Sequence, residues 1–375
     1  MKKFWQRNKQ AIVFIFTLIT VWRLVLFIPD FLGVFFLQQR VGFIGPTPWA
    51  NFDGMHYLSI AQNGYFQFEQ AFFPLFPVLI KIVSVITSGD YTWAGMVIVY
   101  ASFFLWLFFF YKLLEMDYKT SVIRWTLIFT LFFPTAFFFV SLYTEPFFLL
   151  LVILTFYLIR KKQWIAAGIM VGLASATKLV GIFLLPALLI EFYLVYKREV
   201  FSKNHLLKMC LMTIVSTSGL ILYMLYLWKT YADPLFFIHA QPAFGANRSG
   251  GDIILLPQVL YRYIKIFFTV PFTNYDAWIA LLEVSMLLFA FGLLIFGFLK
   301  RKIRLSYFFF SILAIVGPTL TGSLSSIPRY LLVAFPLFIV LGTIKNTQIK
   351  TVIVFISACF FILLCMYFLR GYFIA

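Results

Sequence analysis

Long apolar runs, each followed by a short polar segment rich in Lys or Arg, recur from one end of the chain to the other. A helix needs roughly 20 residues to cross a hydrocarbon core about 30 Å thick. On that measure the pattern predicts about eleven transmembrane helices, at about 11–30, 92–112, 125–142, 146–159, 163–178, 180–196, 208–229, 277–299, 305–322, 328–344 and 351–370. A further apolar stretch, 72–87, has the hydropathy of a twelfth span, and charge decides against it. If it does not cross, the clusters Lys2/Lys3/Arg7/Lys9, Lys112/Lys119/Arg124, Arg160/Lys161/Lys162, Lys197/Arg198/Lys203/Lys208, Lys300/Arg301/Lys302/Arg304 and Lys345/Lys350 all face one side. That side then holds 20 of the 30 Lys and Arg, but only Glu115, Asp117, Glu191 and Glu199 of the 13 acids. The positive-inside rule makes it the cytoplasmic side, with the amino terminus, and lays 72–87 against the outer face as an interfacial helix. Two sizeable extracytoplasmic loops result, 31–91 and 230–276. No fixed-period repeat or low-complexity linker divides the chain, so 1–375 reads as one all-α polytopic membrane domain.

Composition agrees with that reading and removes its competitors. Hydrophobic residues make up 63% of the chain and charged ones 11%, against about 25% charged in soluble domains. Because the apolar runs repeat, neither a secreted domain behind a signal peptide nor a soluble domain on one anchor fits. The net charge of +17 would suggest nucleic acid in a soluble protein; here topology accounts for it, and no nucleic-acid partner is expected. Cys210, Cys359 and Cys365 all fall in apolar runs, which argues against a disulfide framework and a Cys-based metal site.

In so apolar a chain, ionisable groups near hydrocarbon are the functional candidates, because placing them there costs free energy. They gather on the outer face. The first loop reads WANFDGMHYLSIAQNGYFQFEQAFFPLFP from Trp49 to Pro77. Asp53, His56 and Tyr57 stand at i, i+3 and i+4, one side of a short helix that Gly64 would end. Spacing leaves two roles open for Asp53, helix capping and catalysis. Glu145, in SLYTEP, either orients the Asp53 loop or begins the next helix. Lys178, in ATKLVG, either meets an anion or snorkels to outer headgroups. Arg329, in SSIPRY, is a phosphate-binding candidate, since its planar fork pairs two oxygens and its charge opposes both the helix dipole and the inside bias. Arg23, inside the first span, reads as structural, with a buried acidic or carbonyl partner. The second loop, HAQPAFGANRSGGD from His239 to Asp252, has the glycines of a mobile lid, carries Arg248, and contains an Asn247-Arg248-Ser249 glycosylation pattern. Asp53, His56 and His239 lack ordered ligand spacing, so neither a metal nor another cofactor is expected.

The motifs WANFDGMHYLSIAQNGY, AFFPLFP, FFPTAFFFVSLYTEPFF, WIAAGIMVGLASATKLVGI and SIPRY together resemble the PIG-V family of GPI-anchor mannosyltransferases and their prokaryotic relatives, within the GT-C superfamily of polytopic glycosyltransferases. The resemblance runs from about 49 to 185 and returns at SIPRY. It implies a GT-C-like fold with interfacial helices in the first outer loop. It also implies inverting transfer of a sugar, mannose in the characterised branch, from a polyprenyl-phosphate donor to a lipid-linked or surface glycan acceptor. Asp53 matches the catalytic acid of the first loop. His56, Tyr57, Glu145, Lys178, Arg248, Arg329 and Tyr330 become the candidate substrate contacts. The family tends to have Trp directly before the Asp, where this chain has Phe52, and often Arg where it has Lys178. The site would face outward from a plasma membrane in a prokaryote or into the lumen of the endoplasmic reticulum in a eukaryote. A polymerase or ligase of lipid-linked glycans, or a flippase or transporter of lipid-linked sugars, would share the hydropathy. Transporters, however, tend to carry ionisable residues near the midplane and symmetry between halves, whereas here the acids concentrate in the outer loops.

Overall fold

A computed structural model describes residues 2–40, 45–197 and 202–374. Arg198, Glu199 and the side chains of Lys2, Lys3 and Arg7 lie outside the described residues. In chain order the helices are α1 (Lys2–Val25), α2 (Phe27–Phe36), α3 (Asp53–Asn63), α4 (Leu75–Ser84), α5 (Tyr91–Leu114) and α6 (Thr120–Leu131). There follow α7 (Glu145–Arg160), α8 (Trp164–Thr177), α9 (Leu184–Tyr196), α10 (Lys203–Tyr231), α11 (Phe236–His239) and α12 (Leu256–Thr269). The last five are α13 (Tyr275–Leu299), α14 (Leu305–Thr319), α15 (Ile327–Tyr330), α16 (Pro336–Gly342) and α17 (Thr347–Leu369). Among the described residues there is no strand.

Among the described residues, six helical segments are long and apolar enough to cross a membrane: Asn8–Phe36, Tyr91–Leu114, Leu179–Tyr196, Lys203–Tyr231, Tyr275–Leu299 and Thr347–Leu369. The other five expected spans are shorter or broken, and proline explains two of the breaks. A proline has no amide N–H to continue the helical ladder. Pro134 lies in the turn between α6 and the 3-10 turn Ala136–Phe139, so 125–142 is not one helix. Pro336 starts α16 afresh after α15, so 328–344 is likewise split. The segment expected to be the first outer loop also begins later than 31. Pro29 falls in the first turn of α2, where no amide partner is needed, and the apolar rod runs on to Phe36 instead of stopping near 30. Within 72–87 only the ten residues of α4 are helical, about 15 Å, which is half the depth of a bilayer core.

Small residues set the tightest helix contact. Gly168 and Gly172 stand four apart on α8 and face α10, where a Cβ on Gly172 would meet the Val215 carbonyl at 2.6 Å and one on Gly219 would meet the Gly172 carbonyl at 2.0 Å. In lipid, where helix burial gains little from the hydrophobic effect, such close backbone approach is what holds helices together. α7 is packed between α5 and α8 and is buried along most of its length. It carries Glu145 at one end and Arg160 at the other, about 22 Å apart, and so defines the two charged ends of the bundle.

Candidate active site

Hydrogen bonds between distant segments gather the Asp53 loop, the turn before α7, and α15 into one wall. Leu142 N–H donates to the Trp49 carbonyl (2.8 Å) and Tyr143 Oη to the Asn51 carbonyl (2.9 Å). Asn51 Nδ2 donates to the Phe368 carbonyl (3.0 Å), and Thr135 Oγ1 to the Pro328 carbonyl (2.7 Å). Asp53 is the first residue of α3, and the capping position is Phe52, with no side-chain cap bond. The capping role for Asp53 is therefore excluded. Its carboxylate turns instead to Arg329.

Four charged side chains from four segments form the centre. Arg329 Nη1 lies 2.6 Å from Asp53 Oδ2, and its Nε lies 3.5 Å from Glu145 Oε1. Lys178 Nζ is 2.5 Å from the same Glu145 oxygen. The guanidinium is walled by Tyr143, Phe138 and Tyr330 at 5.3, 5.5 and 5.8 Å, and Lys178 sits over Tyr330 and Phe148. Burial is graded across the cluster: the Glu145 side chain is 1% exposed, Arg329 8%, Lys178 15% and Asp53 27%. Two buried polar atoms, Glu145 Oε2 and Arg329 Nε, have no hydrogen-bond partner. Burial alone would raise the Asp53 pKa, but the charge and hydrogen bond of Arg329, with help from Lys178 and His56, outweigh it and hold the carboxyl below its ordinary value.

Beside this centre stands a second pair. His56 Nδ1 contacts Glu69 Oε1 at 3.1 Å, and Glu69 Oε2 accepts from the Phe66 amide at 3.0 Å. Burial pushes the Glu69 carboxyl up, yet the bonds from His56 and the Phe66 amide bring it below the usual carboxylate range. The imidazole stacks on Phe72 and meets the edge of Phe244, so the long loop 230–276 reaches the loop 31–91 at this point. Tyr57 Oη lies 3.5 Å from Thr144 Oγ1, and burial together with Asp53 and Glu145 pushes its phenol far above its normal pKa, leaving it neutral. Among the nine described non-glycine residues with positive φ, Phe52 (φ 55°), Phe68 (φ 70°) and Ser326 (φ 70°) closely precede Asp53, Glu69 and Arg329; the other six lie in turns and helix ends elsewhere.

Of the residues singled out by sequence, Asp53, Glu145, Lys178, Arg329 and Tyr330 come together, with His56 and Tyr57 one turn along α3. Arg248 stays outside the centre; it donates weakly to Gln241 Oε1 and to Ser325 Oγ, on the loop leading to Arg329. His239 pairs with Asp233 at 2.6 Å, so the Asp53, His56 and His239 trio is not assembled, and among the described residues no group of three or more His, Cys, Asp or Glu could hold a metal. Arg23 lies over the ring of Tyr100 (5.4 Å) instead of an acid or carbonyl, because the adjacent helix offers an aromatic face at that depth. Sequence reasoning passed over Glu69, although it lies in the quoted loop motif. It also passed over Glu283, a buried acid on α13 that accepts from Tyr263 Oη (2.5 Å), whose oxygen in turn accepts from Leu324 N–H (3.0 Å). An acid in the middle of an apolar span was the signal for Glu283.

Comparison with protein-family models finds none that matches this chain, and comparison with curated proteins finds no match either.

Proposed function

We propose that this chain is an integral-membrane glycosyltransferase of the inverting, polyprenyl-phosphate-dependent kind, with a mannosyl donor the first candidate. The observation that carries the reading is the Asp53–Arg329–Glu145–Lys178 cluster, which the quoted motifs build from four distant parts of the chain. In this reading the six long helices and the five shorter or broken ones together make eleven crossings, the amino terminus is cytoplasmic, and α4 lies along the outer interface.

The chemistry follows from the residue types. An acceptor hydroxyl attacks the anomeric carbon from the face opposite the lipid phosphate. The new C–O bond forms as the C–O bond to phosphate breaks, and its electron pair leaves on the phosphate oxygen. The hydroxyl proton passes to the Asp53 carboxylate as general base. Arg329 and Lys178 stabilise the charge growing on the phosphate, in a site where aromatic walls exclude water and strengthen each charge-assisted bond. His56, held by Glu69, and Arg248, on the second long loop and bonded to Ser325, are the residues assigned to the acceptor glycan.

Membranes containing the protein, supplied with radiolabelled polyprenyl-phosphate mannose, should give a labelled glycolipid or glycan that control membranes lack. Label recovered only as untouched donor, with the glucose and arabinose analogues equally inert, would reject the reading. Transfer of a preassembled oligosaccharide would move it to the ligase class.

A further inference from the structure

The two residues with the clearest roles in the proposed reaction each occupy the other. An arginine that grips its own carboxylate offers less to a phosphate, and a carboxylate gripped by an arginine is a weak base. Both partners want the same kind of contact, because carboxylate and phosphate compete for one planar fork of N–H donors. Charge count points the same way. The centre holds two cations and two carboxylates, so a phosphate entering it arrives as a surplus anion unless one carboxylate gives way.

The burial gradient says which one. Glu145 is 1% exposed and touches both cations from behind, whereas Asp53 is 27% exposed and holds Arg329 through a single oxygen. Phe138, Tyr143 and Tyr330 surround the guanidinium and would keep it in place when the aspartate leaves. We propose that Asp53 occupies Arg329 as a stand-in for a phosphate-headed lipid, which binds by displacing the carboxylate and thereby frees it to act as the base. The inference rests on the glycosyltransferase reading only for what the freed carboxylate does. Displacement itself is a binding event and is measurable without turnover.

The test uses the full chain in detergent or nanodiscs, with farnesyl phosphate, inorganic phosphate and farnesol as probes. If the aspartate must be displaced, the observed affinity is the intrinsic one reduced by the fraction of molecules with Arg329 free. Asp53→Asn should therefore bind farnesyl phosphate about tenfold more tightly than the wild type, an unusual direction for a catalytic-site variant. Asp53→Ser should do the same, which covers the case in which the asparagine variant does not fold. Arg329→Gln should weaken the binding by about tenfold or more, leaving a measurable affinity to Lys178 and the lipid chain. On that background Asp53→Asn should change the remaining affinity less than about twofold, separating release of Arg329 from a general gain of positive field. Tightening seen with farnesyl phosphate but not with inorganic phosphate assigns the site to a lipid headgroup. Equal tightening with both assigns it to the phosphate alone. Unchanged or weaker binding of both in the two Asp53 variants, or equal binding of farnesol, overturns the displacement. Should the wild type transfer no sugar, this result would stand or fall separately.

Discussion

Asp53 and Asp117 sit at opposite ends of the bundle, each held by arginine from far along the chain, and they differ in what is left unpaired. Asp117 accepts from both Arg160 and Arg304, each pairing with both carboxylate oxygens, and Arg304 also approaches Glu191, which accepts from Ser306. None of these side chains has a buried atom without a partner. Asp53 receives one N–H from Arg329, and two buried atoms of its cluster, Glu145 Oε2 and Arg329 Nε, remain unsatisfied. A completed network of this kind clamps loops and helix ends. An incomplete one in a buried setting is held at a cost, with an acceptor on Glu145 and a donor on Arg329 both left open.

The largest effect should come from the outer acid. Asp53→Asn keeps the shape and removes the basicity, so turnover should fall at least about 10²-fold, the usual loss with a general base, while the amount of folded protein stays near wild type. The apparent Michaelis constant for donor should not rise, since Arg329 is released. Retained turnover would reduce Asp53 to a structural partner like Asp117.

Next in size is the fork itself. Arg329→Lys keeps the charge but offers one compact point in place of a planar pair of donors. Charge-assisted hydrogen bonds are worth roughly 1.5–3 kcal/mol, so the apparent donor Michaelis constant should rise about ten- to a hundredfold. Unchanged donor kinetics in a stable variant would move the phosphate to Arg248 on the second outer loop.

How much of this contrast could be seen in the sequence depends on distance along the chain. Asp53, Glu145, Lys178 and Arg329 each drew notice singly, as charges misplaced in an apolar setting. That Asp53 pairs with a residue 276 positions away could not be read from one chain. Asp117 looked like a minor acid among the lysines and arginines expected on the cytoplasmic side, because a composition count cannot distinguish a clamped carboxylate from a solvated one. The broken helices were hidden for a related reason. Phe132–Phe139 has Thr135 as its one polar residue and Leu331–Phe338 has none, so hydropathy runs on across Pro134 and Pro336 where the backbone turns. What hydropathy did give correctly was the helical class; it ran on over the whole of 72–87, where a helix of about 16 residues was expected and α4 has ten.

The inner clamp should respond in stability and not in chemistry. Asp117→Asn leaves Arg160 and Arg304 without their anion and should cost about 1–2 kcal/mol, as partly exposed ionic networks do, with specific activity of the folded enzyme unchanged. Burial raises the Asp117 carboxyl, but Arg304 and Arg160 outweigh it, so its folded pKa lies below the ordinary value of 3.8. A depressed folded pKa contributes stability that is complete above the unfolded value and is lost as pH falls through the folded one. Thermal stability of the wild type should therefore drop below about pH 4, and part of that drop should vanish in the variant. A change in donor kinetics with unaltered stability would show that the two ends are coupled.

The smallest effect tests whether the outer cluster can be made to resemble the inner one. Lys178 reaches Glu145 Oε1 only, leaving Oε2 bare. Arginine at that position carries two parallel donors that can take both oxygens, and the neighbouring Phe148 and Tyr330 rings suit a guanidinium as well as an ammonium. Lys178→Arg should raise thermal stability slightly, by under about 1 kcal/mol, because it satisfies an orphaned acceptor. Turnover should fall no more than about threefold, as the second cation commits more of its charge to Glu145 and less to a leaving phosphate. A loss as large as that of Arg329→Lys would mean that the bare Glu145 oxygen is itself needed for substrate, and that the incompleteness separating the two clusters is part of the reaction.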